Sequence, residues 1–206
     1  MYTVYATKGS GNCYKVQLLM RQLHIPFRIV DIDVLKGETQ SPSYLAINPN
    51  GKVPYLVLPN GQGLGESNAM LLHLADGSDL MPTDPLERMR VHEWLFWEQS
   101  SHEPYISPAR FWISIMPEGR ADKADQIAMW HERGAKSLKM LDDHLSRHDF
   151  LVGDRYTVAD IGLFGYTHVA DEGEFDMSLY PAVCAWIDRV KAIDGYVPMM
   201  DFAAAA

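Results

Sequence analysis

The sequence predicts a small α/β domain followed by an all-helical domain. Over residues 1–76, strand and helix patterns follow the order βαβ, then a ββ hairpin and a helix, which indicates a mixed sheet with helices packed on it. Residues 77–85 read GSDLMPTDP, and this Gly, Pro and Asp content is typical of a linker. Residues 86–206 show only helical periodicity, so the second domain is predicted to be all-α.

The first half of the α/β domain contains two strands and a helix. Tyr2 to Ala6 is rich in aromatic and β-branched residues and predicts the first strand. The run from Gly9 to Gly11 breaks the chain, and apolar residues at helical spacing then predict a helix over roughly residues 13–24. Phe27 to Asp31 predicts the second strand.

The second half of this domain is predicted to be a hairpin followed by a helix. Val53 to Leu58 has the pattern of a third strand, and a short fourth strand is expected near Gly63 to Gly65. The Asn60-Gly61 dipeptide between them is a strong hairpin signal. Glu66 to Ala75 then predicts a third helical stretch.

Helices of the second domain are indicated by apolar stripes and by one capping motif. The stripes consist of Ile127, Leu138, Leu141 and Leu145, and of Val183, Trp186, Ile187 and Val190. The T-V-A-D sequence at Thr157 to Asp160 predicts a capping box, in which Thr157 caps a helix and Asp160 accepts from the Thr157 N–H. This motif is expected to act in folding and stability.

Composition and charge limit the function classes. Hydrophobic residues make up 47% and charged residues 22%, with a formal net charge of −9. An acidic chain without a basic stripe is not expected to bind nucleic acid or an anionic membrane surface. The N-terminus lacks the pattern of a signal peptide, and two distant cysteines are no disulfide framework, so a cytoplasmic location is expected.

Two motifs identify a family resemblance. N-P-N-G-K-V-P at Asn48 to Pro54 is followed by E-S at Glu66 and Ser67. With these motifs the whole chain resembles the cytosolic glutathione transferase superfamily, of the bacterial type with a serine/asparagine turn. The resemblance implies a thioredoxin-like, glutathione-binding domain over residues 1–76, and an all-helical domain over residues 86–206 that contributes the electrophile pocket.

The resemblance implies a glutathione site at these motifs. It implies that the Val53–Pro54 peptide is cis, so that the Val53 backbone pairs with the cysteinyl part of glutathione; a trans-Pro at a strand start is the alternative. Glu66 and Ser67 at a helix start suit the ammonium and carboxylate of the γ-glutamyl end, while plain capping is the alternative. Lys52 is a candidate for the glycyl carboxylate, or simply an exposed lysine.

The turn S-G-N-C-Y-K at Ser10 to Lys15 is the candidate catalytic segment. By resemblance, the Ser10 hydroxyl donates to the glutathione thiolate and Asn12 is a second donor. A free thiol with a pKa of about 8.5 is only about 3% ionised at pH 7. One hydrogen bond to the charged form lowers that pKa by roughly one to two units, which makes the thiolate a major species.

Cys13 is the rival for this role. A cysteine in the first turn of a helix can have a depressed pKa and form mixed disulfides. Ser10 and Cys13 have the spacing of a C-x-x-C pair, in which the second cysteine usually points inward. Because free cysteine is among the most buried residue types, Cys13 is expected to be a small buried residue of the core.

Electrophile and metal sites carry weaker signals. Family resemblance places the electrophile wall on the first long helix of the second domain, where Arg110 and Phe111 are candidates. Three His-Glu pairs, at residues 92–93, 102–103 and 131–132, lack the spacing and companion ligands of a zinc site, so no metal is expected.

The sequence thus predicts an enzyme, a glutathione transferase with glutathione as co-substrate. It is expected to conjugate glutathione to small electrophiles, as in detoxification, or to reduce disulfides or peroxides with it. The alternative is a non-catalytic binding module on the same fold, because fold does not imply function. The resemblance also implies a homodimer.

Overall fold

The structure is a computed structural model that describes residues 1–201. Within these residues the chain divides into two compact units. The first contains Met1–Ser78 together with the segment from Asp194 onward, and the second contains Asp79–Ile193. The sequence-based division places the segment after residue 193 with the helical half instead. None of the described helices is both long and apolar enough to cross a membrane.

The first unit is built on a mixed sheet of four strands among its described residues. The strands are β1 (Tyr2–Ala6), β2 (Phe27–Asp31), β3 (Tyr55–Val57) and β4 (Gly63–Leu64). Their order is β2-β1-β3-β4, with β1 parallel to β2 and β3 antiparallel to both β1 and β4. This is the mixed sheet that the sequence patterns predict, in the thioredoxin-like arrangement that the family resemblance implies.

Local chemistry explains these strands and their limits. Val4, Ala6 and Leu56 are completely buried in the sheet, as the alternation of a half-buried strand requires. β3 begins at Tyr55, two residues after the predicted start at Val53, because Pro54 lacks the N–H that pairing with a neighbouring strand requires. The hairpin after β3 turns at Gly61, which has φ +87.

Among the described residues of this unit, three α-helices accompany the sheet: α1 (Gly11–Gln22), α2 (Pro42–Leu45) and α3 (Ser67–Ala75). α1 begins two residues before the predicted start, because Ser10 caps it and Gly11 is its first residue. The short α2 is absent from the sequence prediction; Ser41 caps it and Pro42 fits its first position. α1 and α3 pack against each other, and this contact brings their N-terminal ends into the candidate site.

The second unit is helical throughout its described elements. Its helices are α4 (Pro85–Trp97), α5 (Glu103–Arg110), α6 (Ala124–Leu145), α7 (Val158–Thr167) and α8 (Pro181–Lys191). Single π-helical segments follow α4 and α5. All eight residues of the two predicted apolar stripes, on α6 and α8, are buried. The all-α prediction for this half is therefore confirmed.

The predicted capping box is present at the start of α7. The Thr157 side chain accepts from the Ala159 N–H at 3.3 Å, and the Thr157 N–H donates to the Asp160 carboxylate at 2.9 Å. Asp160 also accepts from the Leu151 N–H at 3.1 Å and from the indole N–H of Trp186 at 2.9 Å. The cap therefore also fixes the preceding loop and α8, which the local motif did not predict.

Candidate functional site

The strand-to-helix turn after β1 carries the first group of candidate residues. Ser10 is half-buried and caps α1 with an extended backbone, and its Oγ accepts from the Cys13 N–H at 3.3 Å. Serine is a preferred residue at this position because it satisfies one of the free N–H groups of the first helical turn. A hydroxyl that accepts in this way keeps its own proton for another acceptor. The geometry is therefore compatible with donation from Ser10 to a thiolate.

Asn12 connects this turn to the second candidate segment. It is half-buried in the first turn of α1, and its Oδ1 accepts from the Ser67 hydroxyl at 3.2 Å. The two residues are separated by 55 positions along the chain. The structure thus brings together the residues proposed for thiol activation and for the γ-glutamyl end.

Cys13 has the environment of a structural thiol. Its side chain is completely buried, and its Sγ accepts from the Thr7 N–H at 3.5 Å. Burial raises the pKa of the thiol to about 11, although the contact with Ser10 lowers it. The thiol is therefore protonated at neutral pH, and the expected burial of Cys13 is confirmed.

The segment before β3 holds the third group of candidates. The Val53–Pro54 peptide is cis, as the resemblance implied. The carbonyl of Lys52 accepts from the Tyr44 hydroxyl at 2.6 Å and from the Asn48 side-chain amide at 2.8 Å. These two donors fix the backbone immediately before the cis peptide, while the Lys52 side chain is exposed.

The start of α3 carries the Glu66-Ser67 pair. Glu66 precedes the helix with φ 63 and ψ 110, a left-handed conformation that costs a non-glycine residue roughly 1–3 kcal/mol. Such strain persists only where the surroundings enforce it, and it is frequent at binding sites. Glu66 is exposed, whereas Ser67 is 5% exposed and is the first residue of α3. The N–H groups of this first turn form a site suited to a carboxylate.

Two features beside the site escaped sequence reasoning. Tyr44, whose hydroxyl donates to the Lys52 carbonyl, belongs to no recognised motif. Asn48 belongs to the N-P-N-G-K-V-P motif, but sequence reasoning did not identify it as a donor to that carbonyl. The segment after residue 193 returns to the first unit, where the Tyr14 hydroxyl donates to the Val197 carbonyl at 2.7 Å. A Cβ atom at Gly9 would meet Met200 Sδ at 4.0 Å, so this segment lies beside the turn that carries Ser10.

Comparison with known families agrees with this arrangement. The model of the glutathione S-transferase N-terminal domain matches residues 4–80, and that of the glutathione S-transferase C-terminal domain matches residues 102–194. The chain belongs to the glutathione S-transferase family. The predicted family and its two-domain fold are thus confirmed.

Individual relatives of this glutathione S-transferase family member extend the likeness. A glutathione S-transferase from Pseudomonas fluorescens is 47% identical, with 97% of this chain and 99% of that chain covered and a TM-score of 0.93. The disulfide-bond oxidoreductase YfcG of Escherichia coli is 26% identical over 88% of this chain and 86% of its own length. The transferase URE2P8 from Phanerochaete chrysosporium, solved with oxidized glutathione, is 25% identical at a TM-score of 0.83, over 94% and 90% of the two chains.

The electrophile candidates of this family member lie in the second unit. Arg110 is almost completely buried, and its Nε donates to Glu172 at 2.7 Å in an ion pair. Phe111 is half-buried and packs edge-to-face against Trp112, with ring centroids 5.2 Å apart. The Arg110 guanidinium therefore has a structural partner within its own unit.

Two histidines of the His-Glu pairs, His102 and His131, have hydrogen-bonding partners that are not metal ligands. His102 is buried, with its ring nitrogens 3.0 Å from the Ser137 hydroxyl and 2.9 Å from the Thr167 hydroxyl. His131 Nε2 lies 2.8 Å from the Gly173 carbonyl. Over residues 1–201 no group of three or more His, Cys, Asp or Glu side chains is arranged to hold a metal ion.

Proposed function

We propose that the chain binds glutathione in its first unit and activates the thiol for transfer to an electrophile or a disulfide. The contact between Asn12 and Ser67 carries this proposal, because it joins the N-terminal ends of α1 and α3. Helix N-termini favour negative charge. Two such ends at one place suit a ligand that carries a thiolate and, further along the same molecule, a carboxylate.

Each candidate has a role in this proposal. Ser10 and Asn12 donate to the thiolate, and neither acts as a nucleophile. The Val53 backbone, next to the cis bond to Pro54, pairs with the cysteinyl part.

The remaining glutathione candidates hold the two ends of the tripeptide. The Glu66 carboxylate accepts from the γ-glutamyl ammonium, and the first turn of α3 at Ser67 holds the adjoining carboxylate. Lys52 meets the glycyl carboxylate. Phe111 and Arg110, the latter paired with Glu172, contribute to the wall for the second substrate.

Two reactions are proposed, conjugation of glutathione to an electrophile and reduction of a disulfide by glutathione. The name of YfcG describes a disulfide-bond oxidoreductase, and that of the Pseudomonas fluorescens relative a glutathione S-transferase. In both reactions the attacking species is the glutathione thiolate. With an electrophile, sulfur forms a bond to carbon and displaces the leaving group. With a mixed disulfide, sulfur attacks sulfur and expels the other thiolate.

A direct test measures binding and turnover in sequence. The protein should be retained on immobilised glutathione and released by free glutathione. It should then turn over a chlorinated nitroaromatic, a mixed disulfide of glutathione, or both. Retention without turnover of either substrate would favour the non-catalytic binding module. Failure of retention would reject the glutathione site itself.

A homodimer in the cytoplasm is the second part of the proposal. Three large apolar side chains of α4 are highly exposed: Leu86 at 65%, Met89 at 60% and Phe96 at 73%. Side chains of this size and spacing on one helix are typical of surfaces that a partner covers. Sedimentation equilibrium at micromolar concentration should give twice the chain mass of 23.3 kDa. A species of 23.3 kDa would reject the dimer.

A further inference from the structure

The carbonyl of Lys52 accepts from two buried side chains. The Tyr44 hydroxyl donates to it at 2.6 Å and the Asn48 side-chain amide at 2.8 Å. Tyr44 is 3% exposed and Asn48 is 5% exposed, whereas the Lys52 side chain lies in solvent. A carbonyl oxygen has two lone pairs, so these two donors occupy both of its acceptor positions. They therefore fix the direction of this carbonyl.

The geometry of the peptide bond carries this effect to Val53. The Lys52 carbonyl and the Val53 N–H belong to one planar unit, and in a trans peptide, as this one is, they point in opposite directions. With the carbonyl fixed by Tyr44 and Asn48, the Val53 N–H must point away from both. Among residues 1–201 neither this N–H nor the Val53 carbonyl forms a hydrogen bond. An N–H that is fixed in direction and unpaired is suited to donate to a ligand carbonyl.

Asn48 also shapes the turn that leads to Lys52. Its side-chain oxygen accepts from the Asn50 N–H at 3.1 Å, and its carbonyl accepts from the Gly51 N–H at 2.9 Å. Because an N–H can only donate, the atom that faces Asn50 is the oxygen, and the NH₂ end faces Lys52. The orientation of the Asn48 amide is therefore determined within the turn and does not depend on a ligand.

Tyr44 donates to the same carbonyl from a fixed position. Its own N–H donates to the Ser41 hydroxyl at 3.2 Å, and its ring packs edge-to-face on Tyr5 with centroids 6.0 Å apart. Burial raises the pKa of the phenol above its usual value of 10, although the contact with Asn48 lowers it. The hydroxyl therefore keeps its proton at neutral pH and remains a donor to Lys52.

We propose that Tyr44 and Asn48 are positioning residues for glutathione, which act through the Lys52 carbonyl to direct the Val53 N–H at the carbonyl of the cysteinyl residue. The inference rests on the proposed function, in which the Val53 backbone pairs with the cysteinyl part. This pairing is the same before and during the reaction at sulfur. The two residues therefore act on the affinity for glutathione, and not on the pKa of its thiol.

The experiment measures the Kd of two ligands by titration calorimetry. One is glutathione, and the other is an isostere in which an (E)-alkene replaces the cysteinyl–glycine amide, so that the shape is kept and the cysteinyl carbonyl is lost. Wild type should bind glutathione about fivefold more tightly than the isostere, the effect of one hydrogen bond. The ratio of the two Kd values reports the Val53 pairing, because general damage to the site weakens both ligands alike.

The variants are Tyr44→Phe, Asn48→Ala and the double variant. Either donor alone can fix the carbonyl, so each single variant should raise the Kd of glutathione by about twofold. The double variant should raise it by more than the product of the single effects, because the two donors share one acceptor. Its ratio of Kd values should fall toward unity. Tyr5→Phe is the matched control: it removes a hydroxyl from the ring beside Tyr44 and should keep the wild-type ratio.

A second measurement follows the Val53 amide proton directly. Its hydrogen exchange should be slowed when wild type is saturated with glutathione, and less so in Tyr44→Phe than in Tyr5→Phe. This comparison needs only conservative variants, and thermal melting by circular dichroism would show that both are folded. It therefore tests the inference even where the double variant does not fold.

Two results would overturn the positioning role. One is a double variant that binds both ligands more weakly by the same factor, which leaves the ratio of Kd values at that of wild type. The other is a Val53 amide that is equally protected in Tyr44→Phe and in Tyr5→Phe. Failure of the proposed function looks different, because wild type itself would then bind no glutathione, or would bind the isostere just as tightly.

Discussion

The indole N–H of Trp186 donates to the Asp160 carboxylate at 2.9 Å, which joins α8 to the capping box of α7. Both side chains are completely buried. The same carboxylate accepts from the N–H groups of Leu151 and Thr157. One acidic side chain therefore joins a loop, a helix start and a neighbouring helix. The stability of the second unit should accordingly be sensitive to this position.

We expect Asp160→Asn to destabilise the protein by about 3 kcal/mol or more, because an amide presents donors where the partners are also donors and leaves buried groups unsatisfied. Trp186→Phe removes one donor and some packing, and should cost about 1–3 kcal/mol. Thr157→Ser keeps the capping oxygen and is the matched control. Urea midpoints from circular dichroism provide the comparison. An Asp160→Asn midpoint equal to that of Thr157→Ser would contradict this role.

Stability should also depend on the protonation of Asp160. Burial raises the pKa of this carboxyl from its usual 3.8 to about 6, against the lowering effect of its donors. A folded-state pKa above the unfolded one means that the native state binds the proton more tightly. The stability that protonation of Asp160 adds to the native state is present below pH 4 and is lost as pH rises through 6.

The stability advantage of wild type over Asp160→Asn should therefore shrink by up to about 3 kcal/mol between pH 4 and pH 7. Urea unfolding of both proteins over this range tests the expectation. Titration of the other carboxyls cancels in the difference between the two proteins. A difference that grows with pH would mean that the donors outweigh burial.

Ser10 should affect both sulfur chemistry and stability, because the same hydroxyl caps α1. Ser10→Ala should raise the pKa of bound glutathione by roughly one to two units and lower the neutral-pH conjugation rate about tenfold or more, with partial recovery at high pH. Ser10→Gly removes the hydroxyl but is a better cap than alanine, with a cost of only a few tenths of a kcal/mol. The two variants should therefore share one pH profile and differ in free energy of unfolding by about 1 kcal/mol. Different pH profiles would mean that the cap, and not the donor, sets the rate.

Cys13 should be inert in the native protein. It is completely buried, and its thiol pKa is raised to about 11. Iodoacetamide at pH 7.5, followed by peptide mass analysis, should leave Cys13 unlabelled until the protein is unfolded, and Cys13→Ala should keep the wild-type pH profile. Accumulation of a Cys13–glutathione mixed disulfide during turnover would instead assign the chemistry to this cysteine.

The segment after residue 193 should depend on two contacts with α1. Tyr14→Phe removes the 2.7 Å bond to the Val197 carbonyl and should cost about 1 kcal/mol. Gly195→Ala should cost more, because Gly195 has φ +76 and a Cβ there would lie 3.1 Å from the Cα of Gln22. Hydrogen exchange at residues 196–201 should quicken in both variants. Unchanged exchange would show that neither contact holds the segment.

Much of the fold follows from patterns between neighbouring residues. Tyr2–Ala6 and Phe27–Asp31 are strands with the predicted bounds, because alternation and β-branched content are local properties. The capping box at Thr157 is likewise determined by residues within one turn. The motif that indicated the glutathione transferase family is also local.

Long-range pairings were decided only by the tertiary structure. The Ser67–Asn12 bond spans 55 residues, the Trp186–Asp160 bond 26 and the Tyr14–Val197 bond 183. No periodicity or spacing reports such pairs, because each requires two elements to pack in one register before the side chains meet. The sequence by itself therefore determined which helix and strand ends carry the candidate chemistry. Packing of α1 on α3, and of α8 on α7, decided which of those side chains hold one another in place.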